Sequence, residues 1–364
     1  MRKGIVSLMS ALVMALTASH ALAQAQFIPL GAENTYVTGM SADGMVVVGV
    51  YGSVGPAWRW TPATGVQNIG SISQTTAVSA DGRTVVGTAR GTDGIGYAAI
   101  WQSGKEWATL PPPADGQALD GKTTIGYSVS GDGSVIVGLS YLTQNRVEGF
   151  RYDVKTGTVP LGTLTAGRSR ASVVSADGKV IAGWDDLTGK GSGKGFWYGV
   201  IWWDGMQRLM NPFNGIGQVE GINTTGTVIV GRGALLAPTH AYRFTAYDAH
   251  LEDLGAVKRD QKGVGIGGGP ADSYEDVSIA LGVSDDGNVV VGTSGYAPPT
   301  DAFIWTPQTK ILKLSDYLTL KGITGFEGWT LITATDVSPD GKIIAGTGIN
   351  NVAQRIEGFV VKLQ

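Results

Sequence analysis

Ser41-Ala-Asp-Gly-Met-Val-Val-Val-Gly49 is a turn followed by an apolar strand that stops on glycine. Asp-Gly closes tight hairpins because glycine adopts the positive φ that such turns require. The phrase returns at residues 79–87, 130–138, 175–183, 223–231, 284–292 and 338–346, with first residues 38, 51, 45, 48, 61 and 54 apart. The fifth copy departs, with Asn223-Thr-Thr-Gly226 in place of Ser-x-Asp-Gly. A repeat at this period marks an array in which each unit buries its apolar faces against its neighbours.

Downstream of each turn stands a companion strand: Ala57-Trp-Arg-Trp60, Ala98-Ala-Ile-Trp101, Gly149-Phe-Arg-Tyr152, Gly199-Val-Ile-Trp202, Ala241-Tyr-Arg-Phe244, Ala302-Phe-Ile-Trp305 and Gly358-Phe-Val-Val361. A turn such as Thr61-Pro-Ala-Thr-Gly65 and a short strand ending in glycine follow. Strands A to D, joined by hairpin turns and repeated seven times, predict an all-β, seven-bladed β-propeller with four antiparallel strands per blade. The seventh copy stops after strand C. Phe27-Ile-Pro-Leu-Gly31 matches the D strands Val159-Pro-Leu-Gly162 and Leu251-Glu-Asp-Leu-Gly255, so this N-terminal strand is expected to complete the last blade. Such closure removes an exposed sheet edge, and a monomer is expected.

On these seven units the chain resembles the extracellular repeat proteins named for a His-Ala-Phe phrase, the HAF-type repeats. His240-Ala241-Tyr242 comes nearest to that phrase, and Asp301-Ala302-Phe303 is close. Similar repeats occur in the passenger regions of some autotransporters. The resemblance implies an exported propeller and brings no activity with it.

The first 23 residues stand apart. Arg2 and Lys3 precede an apolar stretch within residues 4–17, and Ala21-Leu-Ala23 offers small residues where a signal peptidase reads. This predicts a signal peptide over 1–23, cleaved before Gln24, and a single propeller domain over 24–364 in the periplasm or outside the cell. No later segment is apolar over the ~18 residues a membrane helix needs. Loss of Arg2 and Lys3 leaves 25 basic against 30 acidic residues, a net charge of −5. Without a basic run, that charge argues against nucleic acid as a partner. The chain has no cysteine and therefore no disulfide.

Several chemistries are discounted by residue supply. Of three histidines, His240 and His250 remain after cleavage, too few for a three-histidine zinc site. No Gly-x-Ser-x-Gly elbow occurs. Gly263-Val-Gly-Ile-Gly-Gly268 imitates a dinucleotide-binding pattern, but no helix pattern follows it and Pro270 stands just beyond. Oxygen ligands that could take calcium cluster at Asp185/Asp186 and at Asp272/Glu275/Asp276, without a twelve-residue calcium loop. No cofactor is expected.

With strand A innermost, the A–B and C–D turns share one face, and the longer B–C and D–A connections share the other. Variable loops on a rigid scaffold are where function concentrates. Residues 111–124, 184–198, 256–276 and 316–329 are the insertions on that face. The second joins Trp184, Asp185, Asp186, Trp197 and Tyr198, and the third ends in Glu275 and Asp276. Aromatic faces beside carboxylates suit sugar rings and their hydroxyls. Near the start of strand A, two columns should ring the central channel: Thr38, Thr76, Tyr127, Ser172, Glu220, Leu281 and Thr335, then Gly39, Ala77, Ser128, Val173, Gly221, Gly282 and Asp336. Tyr127, Glu220 and Asp336 break these columns, as does Arg170 just upstream. A third column opens strand C, with Glu148, Tyr198, His240, Asp301 and Glu357, and reads as structural.

The leading expectation is a binding module that holds a polysaccharide, or an envelope or extracellular protein, on the variable-loop face. The alternative is a polysaccharide hydrolase or lyase at the channel mouth. There Glu220, Asp336 or Asp185 would be acid/base groups, Tyr127 a proton donor and Arg170 a clamp for a uronate carboxylate.

Overall fold

A computed structural model describes residues 25–52, 55–70, 74–164, 167–186, 197–203, 205–209, 217–233, 239–258, 277–295 and 300–363. They form seven four-stranded antiparallel sheets arranged as a propeller. Blade 1 is β2 (Thr35–Met40), β3 (Val47–Tyr51), β4 (Ala57–Thr61) and β5 (Gly65–Gly70). Blade 3 is β10 (Thr124–Val129), β11 (Ile136–Leu142), β12 (Arg146–Asp153) and β13 (Gly157–Pro160). Blade 4 is β14 (Ser169–Val174), β15 (Val180–Asp186), β16 (Trp197–Trp203) and β17 (Met206–Leu209). Blade 5 begins with β18 (Gln218–Ile222) and β19 (Val228–Gly233). Blade 7 takes β26 (Trp329–Val337), β27 (Ile343–Asn350) and β28 (Arg355–Lys362) from one end of the chain and β1 (Gln26–Pro29) from the other.

The expected closure is present. β1 pairs antiparallel with β28, from Gln26 opposite Lys362 to Pro29 opposite Phe359. Phe27 is buried, with its ring 5.3 Å from Phe359 and 5.1 Å from Trp329. Gly31 donates its N–H to Glu357 Oε1 at 2.6 Å, and Arg355 pairs with the other carboxylate oxygen at 2.9 Å. Residues 316–329 are not all loop, as the insertion suggested. A helix, Leu314–Leu320, buries Leu314, Tyr317 and Leu318 in the same cluster as Phe27 and Phe359.

The core lies between blades. Trp58 and Trp60 of blade 1 pack with Ala345 and Val360 of blade 7, and Phe150 of blade 3 packs with Val86 and Ala98 of the blade before it. Polar ties cross the same seams. The buried hydroxyls of Thr35, Thr124, Ser169 and Ser278, at or near the starts of A strands, accept N–H bonds from Gly358, Ala98, Gly149 and Ala241 in preceding C strands.

The Ser-x-Asp-Gly phrase is a self-contained hydrogen-bond unit. Ser130 Oγ donates to Asp132 Oδ1 at 2.7 Å and accepts the Val135 N–H at 2.9 Å, and the Ser134 N–H donates to Asp132 Oδ1. In the fifth copy Asn223 Oδ1 accepts the matching N–H, from Val228 at 3.0 Å, so the odd copy keeps the bond with different chemistry. Ser130→Ala is expected to destabilise the fold by about 1–3 kcal/mol, the cost of stranding a buried N–H. Ser130→Asn should recover part of that loss, and thermal unfolding of the two variants checks the ranking.

Candidate functional site

A β-bulge recurs at the equivalent position of every A strand, between Val37/Gly39, Thr75/Ala77, Gly126/Ser128, Ala171/Val173, Val219/Gly221, Ala280/Gly282 and Ala334/Asp336, and β26 has a second between Leu331/Thr333. The residues skipped at the equivalent position are Thr38, Thr76, Tyr127, Ser172, Glu220, Leu281 and Thr335, the first predicted column. Bulges re-aim side chains, and here all seven line the channel. They stand between a cavity of about 370 Å³ toward the D–A connections and one of about 300 Å³ toward the A–B turns. The second column packs mainly between blades: a Cβ on Gly39 would lie 3.4 Å from Ala77 Cα, and one on Gly282 3.1 Å from Asp336 Cα.

Three of the four preferred residues come together at the D–A side, over blades 3 to 5. Arg170 Cζ stands 5.0 Å from the Tyr127 ring centroid and 5.6 Å from that of Trp184. Its Nη2 is 3.7 Å from Glu220 Oε2, beyond hydrogen-bond reach, while its Nε donates to Ser172 Oγ at 3.0 Å. Trp184 stacks on Trp197 with centroids 5.3 Å apart, and Trp197 is 42% exposed. Burial raises the Glu220 carboxyl above its ordinary value, against the opposing pull of Arg170 and Arg232. Tyr127 Oη and the Glu220 carboxylate make no hydrogen bond within the described residues, and Arg170 uses one of its donors. All three side chains line one cavity.

Asp336 belongs elsewhere. It lines the A–B side and accepts N–H bonds from Met40 at 3.0 Å and Val337 at 2.8 Å, fastening blade 7 to blade 1. Removal from water pushes its carboxyl up to about 6, although both N–H bonds pull the other way. A raised carboxyl binds its proton more tightly in the folded chain, so this contribution to stability is complete below about 4 and is lost as pH rises through about 6. Asp336→Asn should flatten that part of the pH profile, by roughly 2–3 kcal/mol between pH 4 and 7. Denaturant titrations at several pH values measure it.

Asp185, unlike Asp336, does not line the channel. The insertion at 184–198 was expected to be loop throughout, but Trp184, Asp185 and Asp186 lie in β15, and Trp197 and Tyr198 in β16. Asp185 is fully buried and accepts the Leu164 N–H at 2.9 Å, and Asp186 is buried beside it in sequence. No group of three or more acidic or imidazole side chains among the described residues is placed to hold a metal. Glu275 and Asp276, with Asp272 and the glycine run 263–268, lie outside the described residues.

Three members of the strand C column make local ion pairs or polar contacts. Glu148 pairs with Arg146 at 2.7 Å, His240 Nδ1 lies 3.0 Å from Asp253, and Lys313 pairs with Asp301 at 3.3 Å. Arg232 was missed. It follows the terminal glycine of copy five, where other copies carry Val50, Thr88, Leu139, Thr293 and Thr347, and Trp184 breaks the same column.

No family model matches the chain, and no curated protein matches it in sequence. Solved structures do. An oligogalacturonate lyase in complex with manganese is matched over 93% of each chain, at 14% identity and a TM-score of 0.54. The β-propeller domain of the Trilobed protease from Pyrococcus furiosus, described as having an open velcro topology, is matched over 91% of this chain and 94% of its own, at 11% identity and a TM-score of 0.53. The chain spans about half of TolB from Acinetobacter baumannii, 53% of that chain and 60% of this one, at 16% identity and a TM-score of 0.45. The two full-length likenesses show the propeller. No helix among the described residues is long and apolar enough to cross a membrane.

Proposed function

We propose that this protein is an exported binding module that holds a glycan at the D–A mouth of its channel, over blades 3 to 5. The observation that carries this reading is that Tyr127, Arg170 and Glu220 line one cavity with hydrogen-bonding capacity to spare, and that Arg170 lies over Trp184, which stacks on the part-exposed Trp197. Aromatic surface for ring faces and open hydrogen-bonding groups for hydroxyls are what sugar recognition requires. Export is supported by the leader-like segment 1–23 and the resemblance to HAF-type repeats. The test is to pass bacterial and plant polysaccharides over the purified mature protein, scoring retention and new reducing or unsaturated ends together. Retention without new ends is expected. Binding of envelope proteins and of no polysaccharide would move the ligand class to protein.

A second reading has its own support. A half-buried carboxyl, raised above its ordinary value by desolvation and lining one cavity with a tyrosine and an arginine, is equipped for acid/base work, and a propeller of the same build is an oligogalacturonate lyase. If the site cleaves glycans, Glu220→Gln should lower turnover by about 10²–10⁴-fold while leaving retention in place. A binding module shows no turnover to lose, and end-group assays on both proteins separate the two.

A further inference from the structure

We infer that the glycan held at this mouth is acidic, and that Arg170 receives its carboxylate. This deepens the binding reading above and rests on it. Arg170 has a half-enclosed guanidinium, with 17% of its side chain exposed, yet among the described residues it gives a single hydrogen bond, to Ser172. Glu220, its acidic partner among the described residues, stays 3.7 Å away. A guanidinium carries five N–H donors in a planar fork that matches a carboxylate in two places at once. Lysines and arginines elsewhere here are differently placed: Arg146 and Arg355, for example, reach Glu148 and Glu357 at hydrogen-bond distance.

The surroundings add charge of the same sign. Arg232, whose field reaches Glu220, is bonded to the neutral side chain of Gln218. Arg168 is exposed on the same side and acts on Tyr141, which in turn feels Tyr127. Two guanidiniums, those of Arg170 and Arg232, therefore act on one channel-wall carboxylate, in a chain whose net charge is −3. Enclosure matters as well, because charges in a partly dried cleft are screened less than those on open surface. The cavity offers a sugar ring the Tyr127 side chain, and offers its carboxylate the Arg170 Nη groups, which make no hydrogen bond among the described residues.

The test uses wild-type mature protein and three sets of tetrasaccharides: galacturonic, glucuronic and mannuronic acid oligomers, their methyl esters, and neutral oligomers of glucose, galactose and mannose. At least one acidic oligomer should bind about tenfold or more tightly than its own ester, as expected when a charge-assisted bidentate pair is lost. Its affinity should fall with added salt, and that of the ester should not. Arg170→Gln, shown to be folded by its melting curve, should bring acid and ester to equal affinity. Esters or neutral oligomers binding as well as the acids would overturn the inference and leave the glycan reading standing. No binding by any set would overturn the glycan reading itself. The ester comparison needs no variant, so a poorly folding Arg170→Gln does not blunt the test.

Discussion

Removing residues 24–31 is expected to destabilise the protein by roughly 5 kcal/mol or more, enough to lower its melting temperature by roughly 10 °C. Phe27 and Leu30 are each 5% exposed, and burying such side chains contributes about 1.5–3 kcal/mol apiece. The β1–β28 ladder and the Gly31–Glu357 bond add to this, at about 1 kcal/mol net per hydrogen bond. The larger consequence is structural. Without β1 the edge of β28 is open, and the aromatic cluster of Phe326, Trp329 and Phe359 loses its cover. Open edges pair with other chains, so the truncated protein should associate on heating. Calorimetry and light scattering on both forms measure the two effects. Equal melting temperatures would mean that the first strand does not close the ring.

Gly138→Ala should be still more damaging for its size. A Cβ at that position would lie 1.9 Å from the Ile125 carbonyl oxygen and 2.7 Å from Cε1 of Phe150. The same crowding meets a Cβ at Gly49, from Tyr36 O and Trp58, and at Gly292, from Ile279 O and Phe303. In each case the carbonyl sits two residues before the bulge, and the ring belongs to strand C. The glycine that ends each repeat phrase therefore makes room for the bulge. Neither backbone can withdraw without breaking its ladder, so the substitution should cost upwards of about 3 kcal/mol or prevent folding. Gly131→Ala provides the comparison. It stands where other copies carry Ala42, Ala80 and Ala176, and its Cβ would meet nothing closer than 3.1 Å. Its effect should stay within about 1 kcal/mol, as soluble yield and unfolding midpoint would show.

How much of this was legible in sequence depends on which interactions are local. The Ser130–Asp132–Val135 unit spans six residues, so its spelling repeats with the structure and the hairpin can be read directly. Closure was legible because Phe27-Ile-Pro-Leu-Gly31 is spelled like an internal D strand. The bulge was not legible, since it is a register shift with no composition of its own, although its partner glycine stood in plain view. The seam hydroxyls of Thr35, Thr124 and Ser169 act on backbone of the preceding blade, and no spacing rule announces them.

The same distinction divides the candidate site. Tyr127, Arg170 and Glu220 depart from their columns and meet at one mouth. Asp336 departs for a different reason, fastening Met40 of the first blade. Departure from a repeat marks a special position and cannot say whether the need is structural. Asp185 was misplaced because hydropathy gave no sign that β15 runs on through two acidic residues, with Asp185 satisfied by Leu164 in the approach to its own blade. Arg232 and Trp184 show that the column after the terminal glycine carries as much information as the one before the turn.

Hydrogen exchange with and without a retained oligosaccharide tests the placement of the site most directly. Protection is predicted at the bulged stretches of β10, β14 and β18, around Tyr127, Ser172 and Glu220, and along β15 and β16 near Trp184 and Trp197. The A–B turns at 41–44, 130–133 and 284–287 should exchange as before. Protection confined to those turns, or to the outer strands β5 and β13, would place the ligand on another surface and contradict the assignment of the channel mouth.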